Sequence, residues 1–449
     1  MKVLLVGNDA RGHAIAEAIA CSNYRVELFA FMESLNPGIA GLATGYELGK
    51  YDKPAAILAY VQSLNGVDFA VISPEKPLFY GVVDALEETG IPCVGPNKLP
   101  AQIETSKSFT RKLLRKYGIP GNPQHWIFTS FNPGAIKVFM DHLGQAVIKP
   151  DGLTGGKGVM VQGDHFDTKD EALKICAEIL KKHPAVIIEE KLDGEEFSLQ
   201  CFTDGKTVVA TPPVQDHKRR MPGDTGLNTG GMGSYSCADH LLPFLKQSDI
   251  DQATQIVWQV VRAIDHETKE LFRGILYGGF MVTADGVNLV EFNARFGDPE
   301  AMNILPLLET NFVDICYGII GGRLDEIPIS FQKKATVCKY LVPWAYGRDL
   351  PQGHPDLSSN SAKIEIGDLG DAKLYYSSVE KRPDGIYTTA SRAVAVLGIG
   401  DSLPQAEKIA EKAAQAFSDP VDHRRDIGTD CLVQRRVDHM RALRGESRR

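Results

Sequence analysis

No stretch of the 449-residue sequence approaches the roughly 20 apolar residues that a membrane-crossing helix needs, so no span is expected. The opening MKVLLVGNDARGH has an apolar run that stops at Val6 and gives way to turn residues and charges, so it does not read as a signal peptide. Cysteine is sparse and scattered. Cys21, Cys93, Cys176, Cys201, Cys237, Cys316, Cys338 and Cys431 never form CxxC, which sets aside zinc, redox and disulfide frameworks and leaves reduced, mostly buried thiols. An excess of positive charge is missing too. A net charge of −8 argues against a general nucleic-acid binder, and any anion handled here must meet basic residues placed locally. There is no internal repeat. What remains is ordinary for a globular cytoplasmic protein, 43% apolar and 24% charged. The length exceeds the roughly 250–300 residues that one core supports, so several domains are expected.

Along the chain, short β-rich runs at 2–6, 26–30, 68–73 and 91–94 alternate with helix-like segments at 13–21 and 81–88. Such alternation implies a parallel sheet with helices on both faces and ligands at the carboxyl ends of its strands. The turns at 7–12 and 73–77 are therefore candidate binding loops. Residues 103–117 read as one basic amphipathic helix. Strands at 146–149 and 159–161 flank a glycine-rich loop, 185–189 is a further strand, and 197–202 with 207–210 form a hairpin. Residues 212–233 read as a long loop, a length usually reserved for function or disorder. A long helix is expected at 249–272, a hairpin at 278–292 and a helix at 403–417. The basic tail 435–449 is expected to fray.

Four segments carry chemistry. In Lys149-Pro150-Asp151-Gly152-Leu153-Thr154-Gly155-Gly156-Lys157-Gly158-Val159, a strand delivers Lys149 into a loop whose glycines let backbone N–H groups close on phosphate oxygens. No Ser or Thr follows the lysine, so this is not a Walker A loop; taken by itself, a flexible hairpin turn remains open. The run from Glu189 to Glu196 offers a backbone edge for a base and carboxylates for a ribose diol, although such a run is more often a solvated turn. In Glu291-Phe292-Asn293-Ala294-Arg295-Phe296-Gly297-Asp298-Pro299-Glu300, strand alternation puts Glu291 and Asn293 on one face. A carboxylate and an amide oxygen suit Mg²⁺. Arg295 shares that face if the strand continues, placed to clamp a carboxylate or phosphoryl group. Lastly, Gln215-Asp216-His217-Lys218-Arg219-Arg220 followed by GDTGLNTGGMG combines basic residues with a second glycine-rich stretch, which suggests anion binding and nothing sharper.

In this order and with these neighbours, the segments resemble the phosphoribosylamine–glycine ligase (glycinamide ribonucleotide synthetase) family of the ATP-grasp superfamily. The most specific match runs QDHKRR…GDTGLNTGGMGSYS from Gln215 to Ser236; IEEKLDGEEFS, EFNARFGDPE, Gly95-Pro96, Ser106-Lys107 and Arg424-Arg425-Asp426-Ile427-Gly428 extend it over nearly the whole chain. The resemblance implies an α/β fold with an N-terminal doubly wound parallel-sheet domain (1–101), a central ATP-grasp region (102–328, lid about 122–190) and a small C-terminal α+β domain (329–449). It implies a cytoplasmic enzyme of purine biosynthesis, monomer or weak homodimer, that binds small molecules and neither nucleic acid nor membrane. The reaction it implies joins glycine to 5-phosphoribosylamine with ATP and Mg²⁺ (or Mn²⁺), through glycyl phosphate. Carried over by residue, Lys107, Lys149, Gly155, Gly156, Lys157 and Gly158 hold ATP phosphates. Glu189 and Leu192 meet adenine, Glu195 the ribose, and Glu291 and Asn293 the metal. Arg295, Lys149 and Asp298 are catalytic. Gly7, Asn8, Arg11, His13, Pro74, Glu75, Asp216, Lys218, Asp224, Thr225, Asn228, Gly230, Gly231, Arg295, Gly297 and Glu300 bind substrate.

The first loop departs from the family's usual G-x-G-G-R-E-H, reading Gly7-Asn8-Asp9-Ala10-Arg11-Gly12-His13. A carboxylate at Asp9 about 4 Å from a substrate phosphate repels it by roughly 1–4 kcal/mol. Either Asp9 points away or the phosphoribosyl group binds differently, and Lys76 is expected to compensate in part. No carboxylate near 277–281 offers a second metal ligand. Two other functions stay open on the sequence: an ATP-grasp ligase with a different substrate pair, and a non-catalytic nucleotide-binding relative.

Overall fold

The computed structural model describes residues 1–155 and 158–446. The first sheet is built from β1 (Lys2–Val6), β2 (Glu27–Met32), β3 (Gly45–Leu48), β4 (Phe69–Ile72) and β5 (Cys93–Val94), with α1 (Ala10–Ala20) between β1 and β2. All pairings are parallel and the order is β3-β2-β1-β4-β5, the arrangement expected of a doubly wound sheet. Val3 to Val6 and Phe69 to Ile72 are buried on both faces, which is why these strands read as continuous apolar runs. Each Val, Leu, Ile or Phe among them contributes about 1.5–3 kcal/mol by leaving water. The order reverses between β1 and β4, so the turns after Val6 and Ile72 flank the topological switch point, where such sheets place ligands.

The expected helix at 103–117 is two helices, α2 (Gln102–Thr105) and α3 (Lys107–Lys116). Ser106 breaks it in an extended conformation, and its Oγ accepts the Phe109 N–H as a cap. Asp151 secures the break, accepting from Ser106 Oγ and from the Ser108 N–H at 3.1 Å. A small four-stranded sheet follows, ordered His125–Phe128, Val186–Glu190, Ala146–Pro150, Met160–Val161, over its own core of Phe128, Ile136, Ile148 and Cys176. The main body is a second four-stranded sheet in which β6 (Gly274–Thr283) pairs antiparallel with β7 (Gly286–Asn293) and with Glu195–Thr203.

Residues 212–233 are not one long loop. Gln215–Asp216 pairs with Gly233–Ser236, and Arg219–Met221 pairs with Thr225–Asn228 around a turn where Gly223 and Asp224 both take positive φ, a conformation Asp tolerates. Gly233–Ser236 also pairs with Ala335–Pro343, so a six-stranded sheet crosses the boundary expected at 328. The tail is ordered further than its composition suggests. Asp430–Leu443 forms α4, capped by Thr429, and it docks through buried Leu432, Val433, Val437 and Met440, an apolar stripe at helical spacing. Among the described residues no helix is long and apolar enough to cross a membrane.

His13, expected at the substrate, lies instead in the seam between α1 and the C-terminal strand Lys373–Tyr376. Its Nδ1 accepts the Tyr376 N–H at 3.0 Å and its ring stacks on that tyrosine. A Cβ at Gly38 would fall 2.0 Å from the ring, so only glycine fits there. Burial holds the imidazole down at about 4 against an ordinary 6.5, with Glu17 opposing and Lys373 adding to the shift. The unfolded chain therefore takes the proton first. The stability tied to neutral His13 is complete above about pH 6.5 and falls away as pH drops toward 4, a difference on the order of 3 kcal/mol. Melting midpoints measured between pH 7.5 and 4.5 are expected to fall less steeply for His13→Gln than for the parent protein.

Candidate active site

A single cleft of about 370 Å³ opens where the first sheet, the main body and the C-terminal region meet. It is lined by Asn8, Arg11, Glu75, Lys107, Lys149, Gly155, Glu189, Asp216, Lys218, Gly230, Glu291, Asn293, Arg295, Gly297, Asp298 and Glu300, all singled out on the sequence. Lys149 thus shares a cavity with Glu291 and Asn293.

At one end, Glu189 is buried and bound on both carboxylate oxygens. Arg111 pairs with it at 2.6 Å and 2.9 Å and Lys149 at 2.6 Å. The same two cations donate to β7: Arg111 to Leu289 O and Val290 O at 3.1 Å, Lys149 to Val290 O at 3.2 Å. Burial alone would raise the Glu189 carboxyl, but Arg111 and Lys149 hold it down at about 2. Its side chain is therefore an internal counter-ion and is not free to meet adenine. Lys107 Nζ donates to Gly152 O at 2.9 Å, on the glycine loop. Gly156 and Lys157 of that loop lie outside the described residues. Gly158, Leu192 and Glu195 do not line the cleft. Glu195 faces α4, with His439 at 2.7 Å and Arg436 at 3.2 Å, so its expected place at the ribose is not what the structure shows.

Midway, Glu291 and Asn293 share one face of β7 while Phe292 packs into the core. Burial opposes the charge on Glu291, but Lys218, Lys107 and Lys149 outweigh it and hold the carboxylate ionised. Among the described residues no group of three or more His, Cys, Asp or Glu could enclose a metal. One carboxylate and one amide oxygen fit a hard cation that keeps water and phosphate in its shell. Arg295 follows just past the strand end and reaches Glu75 at 3.3 Å and Glu104 at 3.0 Å.

The far end is acidic. Tyr277 Oη donates to Glu300 at 2.9 Å, and Gly297 leaves the room this needs, since a Cβ there would fall 2.3 Å from Glu300 Oε2. Asp216 lies close enough for the two charges to repel, and its Oδ1 is buried with no partner. Burial, then Glu300, pushes the Asp216 carboxyl well above the carboxylate range; burial also raises Glu300. Asp298 is held by Tyr340 Oη and, at 3.2 Å, by Arg392.

Two family models match residues 1–301 of the chain. Residues 1–104 match the phosphoribosylglycinamide synthetase N domain and residues 105–301 its ATP-grasp (A) domain. The chain belongs to the phosphoribosylglycinamide synthetase family. It is 47% identical to the phosphoribosylamine–glycine ligase of Methanosarcina barkeri over 99% of this chain and 100% of that one. It is likewise 47% identical to that of Methanothermobacter thermautotrophicus over 99% and 100%. The crystal structure of the phosphoribosylamine–glycine ligase from Thermotoga maritima superposes with a TM-score of 0.76 at 26% identity, over 95% of this chain and 100% of that one.

Within this family member the unusual first loop closes on itself. Asp9 caps α1, accepting the Gly12 N–H at 2.7 Å, and pairs with Arg11. Burial works against its charge, but Arg11 and the Gly12 N–H keep it ionised. The expected compensation by Lys76 is absent, because Lys76 pairs with Glu33 at 2.6 Å outside the cleft; Arg11 supplies it. Gly7, Pro74, Thr225, Asn228 and Gly231 do not line the cavity. Asp224 does not either: Arg424 (2.6 Å), Arg435 and Arg436 hold it against the C-terminal helix. Sequence reasoning missed Glu104, Arg111, Tyr277, Ser377, Ser378 and Arg392, which all line the cleft. Arg111 was visible only as one more basic residue on a helix. Arg392, whose Nη1 donates to Gly230 O at 2.7 Å, Gly231 O and Asp298 O, sits in no motif.

Removing one partner from a buried charge group leaves another uncompensated. Arg111→Leu is expected to destabilise the protein by on the order of 3 kcal/mol and to weaken nucleotide binding, measured by denaturant titration and by calorimetry with ADP.

Proposed function

We propose that the chain joins glycine to 5-phosphoribosylamine, releasing ADP and phosphate, in the second step of purine biosynthesis. One observation carries this reading: a single cleft brings phosphate-facing cations, a metal-competent acid–amide pair and an acidic end together beside the switch point of the first sheet. The whole-length identity to relatives named for this reaction supports it.

In this reading Lys107, Lys149 and the loop at Gly155 orient the ATP phosphates. Mg²⁺ or Mn²⁺ held by Glu291 and Asn293 would neutralise charge on the transferring phosphoryl group. Arg295 steadies the glycine carboxylate as its oxygen bonds to the γ-phosphorus and the bond to the ADP oxygen breaks. The resulting glycyl phosphate is an acyl donor with phosphate as a good leaving group. The amine of phosphoribosylamine then adds to the carbonyl carbon, the carbon–oxygen bond to phosphate breaks, and the amine gives up a proton. Asp216 and Glu300, adjacent carboxyl groups with a buried free oxygen, receive N–H groups at this end, and Asp298 borders them. Catalysis is then mostly positioning and charge placement. Arg11, with Asn8 and Glu75, faces the phosphoribosyl group from the first domain. The first domain is kept at 1–101 and the lid at about 122–190, which the separate small sheet and core support; 102–328 and 329–449 are kept as chain segments that share one six-stranded sheet across their junction. A cytoplasmic setting agrees with eight free thiols, six of them buried.

The test is phosphate release that requires glycine, 5-phosphoribosylamine and ATP together. Release supported equally by other amino acids or without the amine would overturn the assignment. Glu291→Gln is expected to lower kcat by at least about 100-fold with the fold intact by circular dichroism. Asp216→Asn is expected to raise KM for glycine or for the amine about tenfold while leaving KM for ATP in place.

A further inference from the structure

Arg295 is anchored by more than its neighbours on the strand. Glu104, at the end of α2, is a buried carboxylate whose two oxygens do different jobs. Oε2 accepts the Ala294 N–H at 2.7 Å, just past Asn293, and Oε1 meets Arg295 Nη2 at 3.0 Å. Among the described residues, Arg295 is its sole salt-bridge partner. Glu75, by contrast, is shared between Arg295 at 3.3 Å and Arg11 at 4.0 Å, and is far more exposed. Arg295 Nη1 donates to Phe296 O at 3.1 Å. A guanidinium has five N–H donors. Hydrogen bonds to Glu75 and Phe296 O use two of them, and Nη2 meets Glu104 as a close ion pair, so both terminal nitrogens keep N–H groups for the cleft.

We propose that Glu104 is a positioning residue: its ion pair holds the Arg295 guanidinium in place so that the free N–H groups of the terminal nitrogens face the carboxylate being phosphorylated. The proposal rests on the assignment of Arg295 to that group made above. An apolar side chain of similar size would fill this space at less cost than a desolvated carboxylate. The double grip also explains what the carboxylate adds. It ties the backbone that follows the metal-competent strand to the side chain that steadies the glycine carboxylate, so the two move as one piece. Without it, a long flexible arginine would pivot about Glu75, which Arg11 also claims.

The experiment compares the full chain with Glu104→Gln, Arg295→Lys and the double variant, reading glycine-dependent ADP release and thermal melting. Glutamine keeps the volume and still accepts the Ala294 N–H, but it no longer pairs with Arg295. Glu104→Gln is expected to lower kcat roughly 10–100-fold, with KM for ATP within about twofold and the melting midpoint within a few degrees. In the Arg295→Lys background the same change is expected to cost less than about threefold more, because a group acting through Arg295 has little left to act on. An unchanged kcat overturns the proposal. So does a collapsed melting midpoint with a parallel rise in KM for ATP, or a full multiplicative loss in the double variant. A parent protein without glycine-dependent ADP release overturns the assignment of function itself, and the two failures are told apart in the same assay.

Discussion

The buried group of Glu189, Arg111 and Lys149 is the interaction on which the rest of the site depends. Three charged side chains are taken out of water together, and each is tolerable because the others neutralise it and because the carbonyls of Leu289 and Val290 accept further N–H groups, with one on Lys149 left for the cleft. That arrangement joins three separate pieces: the helix α3, the small sheet that carries the glycine loop, and β7 with its metal-competent pair. This end of the cleft is shaped by the protein's own charges. Its geometry comes from electrostatic necessity more than from apolar packing.

Much of the architecture was legible in the residues. The doubly wound first sheet follows from apolar runs ending in glycine and serine turns, and the hairpin that carries β7 from two apolar runs around Ala284-Asp285-Gly286, although a bulge at Val290 shifts the alternation within it. The cleft itself was legible too, since the glycine loop at 152–155, Glu291, Asn293 and Arg295 do converge. What could not be read was the difference between a charged residue that touches substrate and one that holds another residue. Glu189, Glu195, His13 and Asp224 all sit in matching motifs, yet each is spent on an internal partner. A motif records that a residue type belongs at a position; only the packing shows which way its charge is turned. The break at Ser106 was hidden for a related reason. The pattern of 103–117 is helical throughout, and the competing cap depends on Asp151, some 45 residues away in the chain.

The C-terminal region also proved to be part of the site and not an appendage. Arg392 lies over the Tyr340 ring and binds the carbonyls of Gly230 and Gly231 and the Asp298 carboxylate. Arg424, Arg435 and Arg436 converge on Asp224. The glycine-rich stretch is therefore shaped from outside, by Arg424 of a matched segment and by Arg392, Arg435 and Arg436, which no local pattern announces.

The strand Gly233–Ser236 lies between Gln215–Asp216 and Ala335–Pro343 in one continuous sheet. The last third of the chain is accordingly no detachable module. A shortened gene product ending near residue 328 would expose a row of unpaired backbone groups along that strand, an open template for pairing with another molecule. A graft between relatives at the same point would need matching strand register on both sides of the junction. Exchange of this region between family members is thus constrained by hydrogen-bond geometry, whatever the tolerance of the linking loop.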